Sequence, residues 1–554
     1  MIAPAAPYDE LVFLPLGGSG EIGMNFNAYG YGPPDERKWI VVDCGVLFGR
    51  ETDTPGVDLI MPDIRFLAEQ RENVLAIVAT HAHEDHIGAI PYLWPMLKCP
   101  IYATPFTAVL IEGKLEEAGL SARVHPKRVP LSGWIELEPF RIEFVSITHS
   151  IPEPNALAIR TPLGTIVHTG DWKIDPEPLI GEVTNTAALK RLGDGGVLAT
   201  VCDSTNALVA GESGSEAKVR EALTALIGTL KGRVAVTAFA SNLARLETVA
   251  KAARANGRQV ALVGRAMHKI AEAARETGYL KGFPAVIDEA EAAQLPPNRV
   301  LYLCTGSQGE PRAALARIAD NNHPTVNLGK GDTVIFSSRV IPGNDLAIHA
   351  LHNKLSLLGV EVLSTDDHFV HVSGHPCRDE LAEMYRWTRP QIAVPVHGEP
   401  RHLSEHARLA LSLQVPQAIV PENGQLIRLA PGRASVIDEV PSGRVHMDGR
   451  VLIEEGAGLA RRRRSLAFAG MIAITVVLDG KGRVAADPSV IVDGLPEPVV
   501  DAIRRALDEP IRRHNPRRDL DGYELKESVR RAARRAAEDA WGKKPVTKVE
   551  VITI

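Results

Sequence analysis

The sequence predicts an α/β protein in which a second α/β domain is inserted into the first, with a small α+β domain at the C-terminal end. Three observations carry this. Over roughly the first two hundred residues, short β-rich runs each end in polar residues, with helical patterns between them. From about residue 214 the texture changes to regular helix–strand alternation, the pattern of a doubly wound sheet. After residue 375 the chain returns to a strand that ends in a histidine loop, "PQIAVPVHGEP", so the first region resumes there.

In chain order, "LVFLPLGGSGEIGMN" reads as a strand entering a glycine loop. "WIVVDCG", "VLAIVATHAH", "PIYATP", "FRIEFVSITHS" and "GTIVHTGDW" read as further strands, with a helix over "TAVLIEGKLEEAGL". This first part covers 1–211. The insertion, 212–374, runs helix then strand through "EAKVREALTALIGTLKGRVAVTAFASN" and "LARLETVAKAARANGRQVALVGR", and continues through "RVLYLCTGSQGE" and "DTVIFSSRVIPGN". The first domain resumes over 375–423. Residues 424–460, rich in Gly, Pro and single charges, read as a connector. The tail, 461–554, reads strand, DG turn, strand, helix, helix, strand. No internal repeat is present, and the sole low-complexity run is "RRRR" at 461–464.

Composition bounds the function. At 554 residues the chain holds several domains of about 150 residues each. Apolar content of 45% and charged content of 23% are those of a soluble globular protein. Cys44, Cys99, Cys202, Cys304 and Cys377 are scattered and never form a CxxC pair, which points to a reducing compartment and away from a cysteine zinc site. "MIAPAAPYDE" lacks the basic and apolar regions of a signal peptide, and "AGMIAITVVL" is too short to span a bilayer and reads as a buried strand. The expected location is the cytoplasm, with no membrane association. Net charge is −6, but residues 461–554 carry 20 Lys and Arg against 14 Asp and Glu, so the tail is basic and the body acidic. An acidic body repels a polyanion unless its carboxylates hold cations that invert the local field.

The chemistry concentrates in "THAHEDHIGAIP". His81, His83, Glu84, Asp85 and His86 crowd into six residues directly after the apolar run "VLAIVA". His81 and His83 alternate on an extended loop and point the same way, while Asp85 and His86 follow on the turn into a helix. Imidazole and carboxylate suit zinc or manganese. A single histidine is ordinarily a surface or hydrogen-bonded core residue. A cluster beside a buried strand is costly unless paired or metal-bound. Completing ligands must come from elsewhere. Asp43, His149, Asp171 and His397 each end an apolar strand, where α/β folds gather ligands. Singly, each reads equally well as a cap or turn residue.

"HAHEDH" matches the metallo-β-lactamase signature HxHxDH, and His149, Asp171 and His397 match its later metal motifs. "CDST" at 202–205, "HVSGH" at 371–375 and "PVHGE" at 395–399 resemble the additional motifs of the β-CASP nucleic-acid nucleases. Together with "GGSGEIGMN", "FASN", "TGSQGEP" and "SSRVIPGN", they make the whole chain resemble the bacterial ribonuclease J family. That resemblance implies a metallo-β-lactamase αββα sandwich with an inserted β-CASP domain and a small C-terminal domain. It implies two divalent ions per subunit, Zn2+ foremost with Mn2+ or Mg2+ as alternatives. One ion would take His81, His83 and His149, the other Asp85, His86 and His397, with Asp171 bridging and Asp43 orienting ligands from behind. Asp203 and His375 match the β-CASP catalytic positions, beside Asp85.

Two loops bear on substrate. "FASN" (Ala240, Ser241, Asn242) and "HVSGH" (His371, Val372, Ser373, Gly374, His375) offer hydroxyl, amide and backbone N–H donors. By resemblance they form a pocket for an RNA 5′-monophosphate and make the enzyme a 5′→3′ exonuclease with added endonuclease activity, in rRNA processing and mRNA decay. Taken alone, "FASN" is equally a strand end with a helix cap. Arg265, Lys269, Arg312 and Arg339 are candidates to line a channel for single-stranded RNA. The paired arginines of the tail lie mostly off the apolar stripe Leu525, Val529, Ala532, Ala536 and Ala540, so the tail reads as a homo-oligomer interface, dimer or tetramer, before it reads as an RNA patch. Other RNA-decay proteins are further expected partners. Two alternatives compete: a small-molecule metallohydrolase such as a lactonase, which needs no inserted domain, and a non-catalytic RNA-binding subunit, which need not keep the ligand set.

Overall fold

The computed structural model describes residues 6–50, 52–341 and 343–554. The start of the N-terminal segment and Pro342 of "SSRVIPGN" lie outside them. Two compact units divide the chain: Met1–Leu47 with Met61–Arg444, and Phe48–Ile60 with Val445–Ile554.

The first unit holds two sheets packed face to face and a third sheet from the insertion. Among the described residues, the first sheet runs Ser435–Glu439, Gln425–Ala430, Glu10–Gly17, Phe26–Gly32, Lys38–Val42, Val74–Val78, Ile101–Ala103, Lys127–Arg128. The second runs Gln417–Ala418, Ile392–Val396, Ala199–Asp203, Gly164–His168, Asn155–Thr161, Phe140–Ser146, Trp134–Leu137. Their inner faces share one core. Leu11, Phe13, Tyr29, Ile40, Val42 and Val78 of the first meet Ile142, Phe144, Leu157, Ile159, Val201 and Val394 of the second. The alternate residues Val145, Ala156, Ala158 and Val167 pack outward under Leu189, Leu192, Leu381, Met384 and Trp387 of the helices Thr186–Asp194 and Arg378–Thr388. Strands covered on both faces lose the polar alternation, which is why they read as continuous apolar runs.

The return of the chain after the insertion is a pairing event. Ile392–Val396 lies parallel to Ala199–Asp203, with Asp203 opposite Val396. That register sets the histidine loop after residue 396 beside Asp203, although the inserted domain separates them in sequence. The inserted sheet is parallel throughout, in the order Val286–Ile287, Gln259–Val263, Val300–Cys304, Val234–Thr237, Thr333–Phe336, Glu361–Leu363.

The connector reading of 424–460 does not hold. Gln425–Ala430 pairs with Glu10–Gly17, and Ser435–Glu439 adds the edge strand of the same sheet. An edge strand keeps one side in solvent, and the mostly exposed "SVIDE" carries the charges that discourage edge-to-edge pairing. Such a strand is compositionally close to a loop. Arg444–Asp448 and Val451–Glu454 form a hairpin; Gly449 in its turn has φ +62°, a conformation glycine adopts without strain.

In the second unit, Met471–Leu478 is the central strand, antiparallel to Ser489–Asp493 and parallel to Val546–Thr553. It is buried on alternate residues, not throughout, because only one face packs on the helices. A helix over Leu459–Ala469, containing the four arginines, precedes it and was not expected. The apolar stripe of helix Tyr523–Trp541 also differs. Leu525, Val529, Ala533 and Ala537 are buried, whereas Ala532 and Ala536 are half-buried and Ala540 is exposed. A strict four-residue spacing drifts about 40° per step around the helix, so the buried line runs obliquely across it. The paired arginines are exposed or half-buried.

Candidate active site

The metal-capable side chains converge at one end of the sandwich. Val74–Val78 leads into His81 and His83, and the single helical turn Glu84–Ile87 presents Asp85 and His86. Phe140–Ser146 leads to His149, Gly164–His168 to Asp171, and Ile392–Val396 to His397. Among the described residues three overlapping groups form: His81, His83, His149 and Asp171; Asp85, His86, Asp171 and His397; and Asp171, Asp203, His375 and His397. Asp171 belongs to all three.

Within the first group His83 Nδ1 lies 3.0 Å from His81 Nε2 and 3.1 Å from His149 Nε2. In the second, His86 Nε2 is 3.1 Å from Asp171 Oδ2 and His397 Nε2 is 3.2 Å from Asp85 Oδ2. The far nitrogens are each engaged by an outer partner. Thr80 Oγ1 gives its proton to Asp43 Oδ2 (2.9 Å) and so accepts from His81 Nδ1–H (2.9 Å). His86 Nδ1–H donates to Asp43 Oδ2 (2.8 Å) and His149 Nδ1–H to the Gly374 carbonyl (2.6 Å). Thr205 Oγ1 donates to Asp203 Oδ1 (2.7 Å) and accepts from His397 Nδ1–H (2.9 Å). Each of these four rings therefore turns its Nε2 inward, the arrangement of metal-ligating histidines backed by outer acceptors.

Electrostatics divides the cluster. Burial pushes His81 and His149 well below the usual imidazole range and His83 down to about 4, so these three are neutral at pH 7 and ready to ligate. Burial acts the same way on His86 and His397 but is outweighed by carboxylates. Asp171, Asp85 and Asp43 hold His86 well above its usual range. Asp171, with Asp203 and Asp85, raises His397 to about 10. Asp171 is buried and Asp85 half-buried, yet both are held below the carboxylate range, Asp85 chiefly by His86 and His397 and Asp171 by His397 and His86. In these buried surroundings a cation is what neutralises the carboxylates without the protons.

Backbone strain collects here. Asp43 (φ 65°) and His397 (φ 54°) are both left-handed, at about 1–3 kcal/mol each. Gly374 is required by proximity: a Cβ there would stand 2.8 Å from His149 Cε1.

Asp203 and His375 meet beside the cluster, with His375 Nδ1–H donating to Asp203 Oδ2 at 2.8 Å. Burial lowers the His375 pKa, but Asp203 and Asp171 outweigh it and raise it. Asn242 caps the helix Leu243–Ala255, its Oδ1 accepting from Arg245 N (2.9 Å), so the capping reading of "FASN" describes its geometry. Ala240 and Ser241 are half-buried before it. Arg245, fully buried, ties this helix to the other loop by donating to Val370 O at 3.0 Å. His371 Nδ1 is 3.5 Å from the same guanidinium nitrogen, and Val372 beside it is buried. Of the four basic residues considered for a channel, Arg339 is drawn to the site by Asn206 (2.9 Å). Lys269 is ion-paired with Glu117, and Arg265 and Arg312 are exposed.

Sequence reasoning missed Thr80, Thr205, Asn206 and Arg245. The first three adjoin named motif residues, and a threonine or asparagine beside a ligand is the available signal. Arg245 carried none, since a helical arginine is ordinarily exposed.

Inward-facing imidazoles with their outer nitrogens already satisfied are built to hold divalent metal, and a two-sheet sandwich that presents them at its rim is a metal-dependent hydrolase of the metallo-β-lactamase class. Family models agree segment by segment: the metallo-β-lactamase superfamily over 27–200, the ribonuclease J β-CASP domain over 231–355, the Zn-dependent metallo-hydrolase RNA specificity domain over 360–416 and the ribonuclease J C-terminal domain over 459–554. The ribonuclease J of Sinorhizobium meliloti is 48% identical over 99% of this chain and 98% of its own length. That of Corynebacterium glutamicum is 38% identical over 99% and 77%, and that of Thermus thermophilus 39% over 85% and 83%. A crystal structure of an Enterococcus faecalis protein of unknown function shares the fold, with a TM-score of 0.51 at 18% identity, over 76% of this chain and 100% of its own. The chain belongs to the ribonuclease J family and is a metal-dependent ribonuclease. No helix among the described residues is long and apolar enough to cross a membrane.

Proposed function

We propose that this ribonuclease degrades single-stranded RNA 5′→3′ from 5′-monophosphate ends and also cleaves internally, in RNA processing and decay in the cytoplasm. The observation that carries the reading is the 2.6 Å hydrogen bond from His149 Nδ1 to the Gly374 carbonyl. It fastens the donor loop 371–375 directly onto a metal-ligand histidine. A terminal phosphate held by that loop is thereby set at a fixed distance from the cluster.

His81, His83 and His149 would hold one divalent ion and Asp85, His86 and His397 a second, with Asp171 shared and Asp43 orienting His86. When bound, such ions supply Lewis acidity to a phosphoryl oxygen and activate water. The chain's own residues do the rest. Asp203 keeps His375 protonated through Nδ1, which leaves Nε2–H to protonate the departing 3′-oxygen. Ser373 and the backbone N–H groups around Gly374 hold the 5′-phosphate, with Ser241 and Asn242 at the neighbouring helix start. Preference for RNA comes from 2′-hydroxyl contacts along the single strand.

One RNA, 3′-end-labelled and bearing either a 5′-monophosphate or a 5′-triphosphate, tests reaction, polarity and end recognition together. The monophosphate form should shorten processively from its 5′ end, and the triphosphate form should require an internal cut first. Equal rates on both would remove the pocket. Chelation should abolish both activities while the circular dichroism of the α/β core stays intact, because the ligand set is not what closes that core. Readdition of Zn2+, Mn2+ or Mg2+ singly, with metal analysis of the protein, identifies the ion and its stoichiometry.

The C-terminal unit is proposed to hold subunits together as a dimer or tetramer. Removing residues 461–554 should lower the number of subunits per particle measured by light scattering. An unchanged subunit number with sharply weaker RNA binding and a shallower salt dependence would instead make the tail arginines phosphate contacts.

A further inference from the structure

The hydrogen bonds around Asn206 fix the direction of the Ser373 hydroxyl proton. Asn206 is buried, with 3% of its surface exposed, in the turn that follows strand Ala199–Asp203. Its Oδ1 accepts from Arg339 Nη1 at 2.9 Å. Its Nδ2 contacts two oxygens, Ser373 Oγ at 2.8 Å and the His375 carbonyl at 3.0 Å. A guanidinium only donates and a carbonyl only accepts, so the amide has one orientation and the nitrogen faces Ser373. Ser373 Oγ accepts a second hydrogen bond from His375 N at 3.1 Å. A hydroxyl has two lone pairs and one proton. With both lone pairs engaged, the Ser373 proton is left to point away from Asn206 and from the His375 backbone.

We propose that Asn206 is a positioning residue for end recognition: it fixes Ser373 as a hydrogen-bond donor and so sets the preference for an anionic RNA 5′-phosphate. The inference rests on the pocket reading given above and adds the residue that polarises it. Without Asn206, the hydroxyl rotates freely and presents a lone pair to the phosphate as readily as a proton. Asn206→Asp is the sharper change, because a carboxylate oxygen in place of Nδ2 takes the Ser373 proton for itself and adds a negative charge behind the pocket. Asn206 also supports the His375 backbone, so an overall loss of rate does not identify its role. The ratio of monophosphate-dependent to internal cleavage does.

The test is a double-mutant cycle on the full-length, metal-loaded enzyme, using RNA with a 5′-monophosphate and a circular RNA that has no end. Ser373→Ala alone should lower the ratio by roughly tenfold or more, the loss of a charge-assisted hydrogen bond. Asn206→Asp and, as a second variant, Asn206→Ala should lower it in the parent; in the Ser373→Ala background the alanine variant should lower it no further, and the aspartate variant only by the smaller repulsion of its charge. Equal lowering in both backgrounds, or none in the parent, overturns the role of Asn206 while leaving the pocket standing. An unchanged ratio in Ser373→Ala itself overturns the pocket, and this inference with it. Thermal unfolding of each variant identifies any that fails to fold. If the aspartate variant does so, the alanine variant decides.

Discussion

Asp171→Ala should reduce RNA hydrolysis by on the order of a thousandfold or more, the scale seen when one member of a catalytic unit is removed, and should do so in a folded protein. Asp171 is the residue common to all three metal-capable groups. Its Oδ2 lies 3.1 Å from His86 Nε2, and its Oδ1 3.5 Å from His397 Nδ1. Removing it strips the shared carboxylate and leaves two imidazoles with less negative charge around them, so their attraction for a cation falls. The fold should survive, because the two-sheet core is closed by apolar side chains that Asp171 does not join. Metal content, activity on 5′-monophosphorylated RNA and circular dichroism are the measurements. Parent-level turnover in scrupulously metal-free buffer would sink the assignment of Asp171 as a shared ligand.

Arg245→Met should destabilise the inserted domain by about 3–5 kcal/mol, the usual cost of leaving a buried charge without its partner. Arg245 is fully buried, and its guanidinium meets both carboxylate oxygens of Glu216 at 3.0 Å. It also donates to the Ser337 carbonyl at 2.8 Å and the Val370 carbonyl at 3.0 Å. Methionine fills similar space but strands Glu216 and takes the guanidinium donor from the Ser337 carbonyl, while Ser337 Oγ still donates to the Val370 carbonyl at 2.7 Å. The consequence reaches the donor loop, since Val370 directly precedes residues 371–375. Glu216→Gln combined with Arg245→Met should be milder than Arg245→Met alone, because a neutral amide no longer needs a counter-ion. Urea unfolding followed by hydrogen exchange in strand Thr333–Phe336 reads the inserted domain separately from the rest. A loss below about 1 kcal/mol would mean that water reaches Glu216 and replaces its partner.

Much of the site was legible because its residues share one local context. The candidate ligands lie on loops or turns that follow apolar strands, and a cluster of histidine and aspartate beside a buried strand has few explanations other than metal. The supporting residues were less legible. Thr80 and Thr205 are ordinary threonines until the second hydrogen bond of each hydroxyl is known. Arg245 reads as a solvated helical residue until Glu216, far away in sequence, is placed against it. The edge strand Ser435–Glu439 and the helix Leu459–Ala469 were misread because exposed strands and highly charged helices carry weak apolar periodicity.

The sequence by itself determined the alternation of strands and helices, the return of the first domain after the insertion, and the histidine and carboxylate chemistry of the candidate ligands, since each follows from local pattern and side-chain chemistry. Only the tertiary structure decided which nitrogen of each histidine faces inward, that Asp203 stands beside the His397 loop, and that the amide of Asn206 turns its nitrogen to Ser373. Those depend on strand register and on donors and acceptors brought together from distant segments, and a hydrogen bond has no direction until both of its ends are in place.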